Sequence, residues 1–375
     1  MNSKSKIKIA FLVPDLSGGG AEKIAITFLH RLDRELFEPS LILCSKTGIH
    51  LDSVPKDVPV HSLRKNSAFS FPMLIWRFRK HLQQYKPDIV VSFLWYADVI
   101  QLLAKLGLKT KTICCFHTVP ISISKERFGT LKYLFLKQLY KLADRILAVS
   151  QSVANDIDHS LLNGKKGKTF VQYNPFEINQ LVAKSQLPES TWNASDKGKI
   201  VFVGRLEIVK GPDRLLKALA KIPSDINWHA KFVGDGSMKS QLIYEAKKLK
   251  IFNRISFEGF VSNPFPTIKH ADILVLTSRF EAYPSVIVEA MLLNTPVVAY
   301  NCPSGPSEII TANNGVLVES GNSESLKDAI VDLLKNREKA ASLAANGPDS
   351  VKHLSAESAT KMLEAHITEV VLKND

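Results

Sequence analysis

Short apolar runs alternate with helix-length amphipathic segments along the whole 375-residue sequence, and that alternation leaves few folds open. Apolar runs bounded by turn residues read as buried strands, and the segments between them read as crossover helices, which together specify parallel sheets covered on both faces. In the first half the strands fall at IKIAFLV, PSLILC, IVVSFL, KTICCFH, RILAVS and TFVQY. In the second half they fall at GKIVFVG, HAKFVG, ISFEG, DILVLTS, TPVVAY and GVLV. Two such sets predict an α/β protein of two doubly wound domains, because a chain of this length exceeds what one core usually supports. The stretch 175–197 lacks strand signal and is rich in Pro, Ser and Asn, so it reads as a linker between an N-terminal domain over residues 1–178 and a C-terminal domain over 197–350. Residues 354–373 read as a last amphipathic helix. Ligands of open parallel sheets gather at strand C-termini, so the site is expected in a cleft between the domains.

Composition narrows the class. With 45% hydrophobic and 23% charged residues, the chain reads as a globular protein in water. The N-terminal MNSKSKIKIAFLVPD imitates a signal peptide, but Pro14 and Asp15 end its apolar run and no small-residue cleavage site follows, so it reads as the first strand. Nowhere is there the run of roughly eighteen apolar residues that a membrane span needs. Cys44, Cys114, Cys115 and Cys302 make neither a disulfide framework nor a zinc spacing, which points to the cytoplasm. The net charge of +13 is lopsided: Lys and Arg number 26 against 14 Asp and Glu up to Ile178, but 23 against 22 beyond it. The first half is therefore expected to meet something acidic, whether nucleic acid, anionic lipid or a phosphorylated substrate. No recognised nucleic-acid-binding module or aromatic stacking platform is present, which argues against nucleic acid as a partner.

Three constellations carry chemistry. In VPDLSGGGAEKIA, Gly18, Gly19 and Gly20 follow a strand and open a helix, where backbone amides can face phosphate or a hydroxyl-rich ligand. The spacing is neither a dinucleotide fingerprint nor a Walker loop, and a merely permissive turn is the plain alternative. In FVGRLEIVKGPDRLLKAL, Arg205 and Lys210 stand past a strand end before Pro212 begins a helix. Two cations there suit a diphosphate, although two exposed loop cations would look the same in sequence. In SRFEAYPSVIVEAM, Pro284 begins a helix whose N–H groups at Ser285, Val286 and Ile287 are expected to be free, which makes an anion site. Glu281 precedes those amides and Glu289 lies inside the helix, each placed to accept hydrogen bonds from ligand hydroxyls.

Arg205, Lys210 and the pair Glu281 and Glu289, together with GGGAEK, ADRILAVSQSVANDI and GPSEII, resemble the retaining GT-B glycosyltransferases of family 4. The resemblance spans essentially the whole chain and implies two Rossmann-like domains facing a central cleft, with the last helix crossing back to the first domain. The N-terminal domain would then bind the acceptor and the C-terminal domain the nucleotide sugar. Residue by residue, it implies that Arg205 and Lys210 hold the nucleotide diphosphate, Glu289 the ribose and Glu281 the hydroxyls of the transferred sugar. The Pro284, Ser285, Val286 and Ile287 segment would cradle phosphate and sugar, and His117 would stand near the sugar's C6 side. Gly19 and Gly20 would complete the diphosphate and acceptor region. Since the family's glutamates are occupied with hydroxyls, the expected mechanism is front-face transfer, in which the departing diphosphate accepts the incoming hydroxyl's proton. Neither a metal nor any cofactor beyond the nucleotide sugar is then required. Asp156 and Asp158 have Asp-x-Asp spacing, but they fall on an expected helix where positions two apart face different ways.

The acceptor is addressed by a surface. On an expected helix from Phe71 to Lys86, the residues Phe71, Leu74, Ile75, Phe78, Leu82 and Tyr85 form a core stripe, while Met73, Trp76 and Lys80 face away from it. A Trp and a Met beside basic residues suit a helix that dips into lipid headgroups, and KERFGTLKYLFLKQLYKLADR adds a second basic, aromatic helix. A neighbouring loop covering Trp76 is the alternative. The expected partners are a nucleotide-sugar donor, a lipid-linked glycan acceptor and an anionic membrane surface, at the inner face of the plasma membrane. GPSEII resembles members that handle UDP-linked hexoses and N-acetylhexosamines. A nucleotide-sugar epimerase, or a non-catalytic donor-binding subunit of the same fold, stays open.

Overall fold

The computed structural model describes residues 5–65, 70–117, 129–187 and 192–373. The chain divides into two compact units, one of Met1–Phe176 with Leu354–Asp375 and the other of Glu177–His353.

The first unit contains a parallel sheet in the order β3-β2-β1-β4-β5-β6-β7, formed by β1 Ile7–Val13, β2 Phe37–Leu43, β3 Val60–Ser62, β4 Ile89–Phe93, β5 Lys111–Phe116, β6 Arg145–Ala148 and β7 Thr169–Val171. Successive side chains of a strand point to opposite faces, and β1 uses both. Ile9, Phe11 and Val13 join one core with Ile26 and Leu29 of the helix Gly20–Arg31. Ala10 and Leu12 join the other with Leu74, Phe78 and Leu82 of the helix Phe71–Tyr85 and with Ala97 and Ile100 of the helix Trp95–Ala104. The last helix, Ala356–Leu372, adds Ala359, Leu363 and Ile367 to the first of these cores. Buried Arg145 fastens it, donating to Glu369 at 2.7 Å and meeting His366 Nδ1 at 2.7 Å. The end of the chain therefore belongs to the unit formed by its beginning.

The second unit contains a parallel sheet in the order β10-β9-β8-β11-β12-β13, formed by β8 Lys199–Val203, β9 His229–Val233, β10 Ile255–Gly259, β11 Ile273–Leu276, β12 Val297–Asn301 and β13 Val316–Glu319. In each unit the strand order reverses beside the first strand, at β1 and β4 and at β8 and β11. Loops leaving those strand ends diverge, which opens a crevice at the switch point.

Two features differ from the sequence reading. β3 shows no sequence signal because three residues behind Pro59 are too few to display a period. The stretch 175–197, read as linker, carries the helix Ile178–Ser185, which packs on the helices Phe265–Lys269 and Ser285–Leu292 of the second unit and buries Leu181.

Candidate active site

The switch point of the second sheet collects the charged residues. β8 runs into Gly204, and the chain then passes from Arg205 to Gly211 before Pro212 opens the helix Pro212–Leu219, where a missing N–H costs nothing. This loop is fastened on several sides. Leu206 N donates to Asp235 O at 2.9 Å, and Glu207 accepts from the amide and hydroxyl of Ser237 at 2.8 and 2.7 Å. The Thr277 hydroxyl donates to Gly211 O at 2.8 Å. Arg279 donates to both carboxylate oxygens of Asp213, at 2.8 and 2.7 Å, and to Ile208 O at 2.6 Å. Burial alone would raise the Asp213 carboxyl, but the hydrogen bonds and charge of Arg279 outweigh it and hold the group below its ordinary value. Lys210 thus leaves a loop whose backbone is held in place.

From that loop the Lys210 ammonium reaches Glu281 Oε1 at 2.6 Å, and the Ser278 hydroxyl donates to the same oxygen at 2.6 Å. β8 and β11 are neighbours in the sheet, so residues 71 apart in sequence meet at their C-terminal ends. Glu281 was expected to offer its carboxylate to ligand hydroxyls; in the structure Oε1 accepts from both Lys210 and Ser278. A cavity of about 310 Å³ opens here, lined by Lys210, Ser278, Glu281, Pro284, Ser285 and Glu289 among others. The helix Ser285–Leu292 points its N-terminus at it. Ser285 and Val286 line the cavity, whereas the Ile287 amide donates to Pro284 O at 3.0 Å and its side chain is fully buried. The expected run of three free amides is therefore shorter by one, because a tight first turn closes on Pro284. Arg205 is solvent-exposed one residue past Gly204, and its side chain does not line this cavity.

Ser278, Arg279, Asp213 and Glu207 did not stand out in the sequence. Ser278 was visible only as the last residue of DILVLTS, and the Arg279 to Asp213 pair joins segments whose adjacency no local pattern reveals. Chemically, a lysine and helix amides stabilise an anion, while half-buried or buried carboxylates accept from hydroxyls.

In the first unit, His117 directly follows β5 with its ring stacked on Phe93, centroids 5.9 Å apart. Burial pushes its pKa down to about 4, so the imidazole is neutral at pH 7 and serves as a hydrogen-bonding group rather than a cation. Gly19 is the N-cap of the helix Gly20–Arg31, directly after the β1 turn. Asp156 and Asp158 lie on the helix Gln151–Ser160, and among the described residues no cluster of three or more His, Cys, Asp or Glu is placed to hold a metal ion.

A second surface lies on the face of the first sheet that carries the helix Trp95–Ala104, against which both the helix Phe71–Tyr85 and the helix Gly129–Leu139 pack. Met73 is 47% and Trp76 50% exposed, with the Lys80 ammonium 4.0 Å from the Trp76 ring centre. Tyr85, expected in the core stripe, is exposed instead and stacks on His81 at 4.3 Å, because it falls at the helix end beyond the reach of the sheet. The helix Gly129–Leu139 leaves Leu131, Leu134 and Phe135 exposed; residues 125–128 of its sequence segment lie outside the described residues. Among the described residues no helix is long and apolar enough to cross a membrane.

Two family models match the chain: Glycosyltransferase Family 4 over residues 18–179 and Glycosyl transferases group 1 over residues 184–350. An uncharacterised glycosyltransferase of Methanocaldococcus jannaschii is 30% identical over 258 residues, 63% of this chain and 63% of its own length. The GalNAc-alpha-(1->4)-GalNAc-alpha-(1->3)-diNAcBac-PP-undecaprenol alpha-1,4-N-acetyl-D-galactosaminyltransferase of Campylobacter jejuni is 28% identical over 327 residues, 83% of this chain and 84% of its own length. Among solved structures, Anabaena HepE in complex with UDP superposes with a TM-score of 0.83 at 22% identity, covering 97% of this chain and all of that one. That likeness shows the same GT-B pair of parallel sheets. With family models matching each half in turn, the chain belongs to the family 4, group 1 glycosyltransferases.

Proposed function

We propose that the protein transfers a hexose or N-acetylhexosamine from a UDP-linked donor to a lipid-linked glycan, with retention of anomeric configuration and without a metal. The observation that carries this reading is the cavity at the β8 and β11 switch point, where Lys210, the first amides of the helix Ser285–Leu292, Glu281 and Glu289 converge. Lys210 and the amides would hold the diphosphate with Arg205, Glu289 the ribose, and Glu281 Oε2 the transferred sugar, with His117 as a neutral hydrogen-bonding group. Glu281 is a poor nucleophile in this setting, because its charge is already engaged by an ammonium and a hydroxyl on one oxygen. Front-face transfer fits better. The bond from the anomeric carbon to the diphosphate oxygen breaks with its electron pair leaving on the diphosphate. The acceptor oxygen then bonds to the same face of that carbon, and its proton passes to the departing oxygen. Preorganised cations and amides stabilise the charge growing on the leaving group, so no divalent ion is needed.

The test is transfer from UDP-N-acetylgalactosamine to an undecaprenyl-diphosphate-linked N-acetylhexosamine in excess chelator, reading UDP release and the anomeric configuration of the product by NMR. Retained configuration at an undiminished rate is expected. Inversion, or loss of activity restored by magnesium, would overturn the mechanism, and an epimerised donor with no disaccharide would assign the protein to the epimerases.

The lipid-linked acceptor rests on the second surface. Trp76, Met73, Leu131, Leu134 and Phe135 are exposed beside Lys80, Lys137 and Lys141, a mixture that suits peripheral attachment at the inner face of an anionic membrane. Each basic residue near such a surface contributes about 1 kcal/mol, screened within about 10 Å at 0.1 M salt. The protein should co-sediment with phosphatidylglycerol vesicles at low salt and release at high salt, and Trp76→Ala with Lys80→Ala should weaken binding severalfold. Indifference to such vesicles at every salt concentration would refute this attachment.

A further inference from the structure

Three residues that line one small cavity of the first unit each carry a buried polar atom without a hydrogen-bond partner: His117 Nε2, Gln172 Oε1 and Asn174 Oδ1. They leave the C-terminal ends of nearby parallel strands, since His117 follows β5 while Gln172 and Asn174 follow β7, with β6 between. Much of the remaining wall is apolar, with Ile24, Phe28, Phe93 and Leu147 among its residues. Gln172 is 5% and Asn174 9% exposed, so neither side chain is served by bulk solvent. The Gln172 amide is held in one orientation: Nε2 donates to Tyr173 O at 3.1 Å and to Ala359 O of the last helix at 3.0 Å. With both amide protons engaged, Oε1 is the atom left over. Stacking on Phe93 holds the plane of the His117 ring.

These atoms specify what fits between them. The cavity is about 10 Å³, at the lower end of the about 10–15 Å³ that one water molecule needs. A buried acceptor without a donor is costly, and Gln172 Oε1 and Asn174 Oδ1 can only accept. One small guest satisfies both oxygens only if it brings two protons. A hydroxyl group brings one, whereas water brings two and keeps lone pairs of its own. Once both of its protons are engaged, the water oxygen can meet His117 Nε2 only as an acceptor. Burial keeps the imidazole neutral, so its single ring proton must then sit on Nε2. Nδ1 is left with a lone pair and no proton, able to accept from a ligand hydroxyl and unable to donate to one.

We propose that a single water molecule in this cavity bridges His117, Gln172 and Asn174, and that Gln172 and Asn174 are positioning residues that fix His117 as the Nε2–H tautomer, with Nδ1 as acceptor for a hydroxyl of the transferred sugar. The part played by Nδ1 rests on the transferase reading above; the water and the tautomer do not. Two measurements on the wild-type protein at pH 7 need no activity: a crystal structure, and proton–nitrogen correlation NMR of histidine-labelled protein with the His117 signals identified by their loss in His117→Gln. An ordered oxygen within hydrogen-bonding distance of all three atoms is expected, with the Nε2–H tautomer alone. An empty cavity or an Nδ1–H tautomer would sink the proposal. Asn174→Leu and Gln172→Met each remove one acceptor at similar volume. In variants whose Tm matches the wild type, His117 should become a mixture of tautomers, and kcat/KM for UDP-N-acetylgalactosamine should fall about fivefold, the usual effect of weakening one neutral hydrogen bond. The Kd of UDP, which lacks the sugar, should stay within about twofold. Persistence of Nε2–H alone in both variants removes Gln172 and Asn174 from this role, and mixed tautomers with unchanged kcat/KM refute the assignment of Nδ1 to the sugar. Absence of transfer by the wild type overturns the transferase reading, while the crystal structure and the NMR spectrum still decide the water and the tautomer.

Discussion

Lys210→Ala should lower turnover about a hundredfold or more, the usual effect of removing one preorganised donor to a charged transition state. Lys210 is held from both ends. The Arg279 to Asp213 clamp and the Glu207 to Ser237 bonds hold its backbone, and Glu281 holds its ammonium at 2.6 Å. The substitution also leaves Glu281, with a side chain 7% exposed, supported on Oε1 by Ser278 alone. An uncompensated buried carboxylate costs on the order of 1–3 kcal/mol, so part of any loss could reflect instability. The double variant Lys210→Met with Glu281→Gln separates the two: it removes both charges at similar volume and should recover most of the Tm while remaining inactive. UDP release at saturating donor, together with thermal melting, reads both quantities. Near-normal turnover in a folded Lys210→Ala protein would remove Lys210 from the chemistry.

Gly234→Ala should be among the most damaging single-methyl additions in the second unit. Gly234 lies directly after β9 at φ +138°, a conformation that side chains rarely adopt. Its amide donates to Gly259 O at 2.7 Å, and its α-carbon packs against the Gly204 carbonyl so that an added Cβ would overlap that oxygen. Gly204 cannot yield easily, because its own amide donates to Val233 O at 3.0 Å and it leads into the Arg205 to Gly211 loop. Strain and overlap together should lower the unfolding free energy by about 3 kcal/mol or more and displace the loop that carries Lys210, weakening UDP more than tenfold. Gly321→Ala is the matched comparison: φ is +88° there, but nothing lies within 4 Å of the added atom, so only the conformational cost of about 1–2 kcal/mol applies. Equal urea midpoints for the two variants would show that the close approach to Gly204 does not matter.

Local pattern was enough for most of the fold. β1 and the other long strands declare themselves as continuous apolar runs, because a parallel sheet covered on both faces buries the side chains on either side of each strand. The helix Phe71–Tyr85 was legible for the same reason, down to the exposed Met73, Trp76 and Lys80; Tyr85 was not, since its position in the stripe says nothing about where the sheet beneath it ends. β3 and the helix Ile178–Ser185 escaped because one is too short for a period and the other sits among turn-forming residues.

The candidate site divides along the same line. Arg205, Lys210, Glu281 and Glu289 stood out as charges at the edges of strands and helices, which is local information. That Lys210 and Glu281 share an ion pair with Ser278 depends on β8 lying beside β11, and that Glu207 meets Ser237 depends on β9 lying on the other side of β8. The order of strands is set by which apolar faces pack together across long separations, so no window of sequence contains it. Glu22 shows the limit most plainly: nothing in GGGAEK marks it as buried, and tertiary packing leaves it only 9% exposed. Local pattern is enough for the elements and the kinds of group at their ends; packing across the sheets selects which of those groups meet, because adjacency is a property of the whole core and not of any stretch within it.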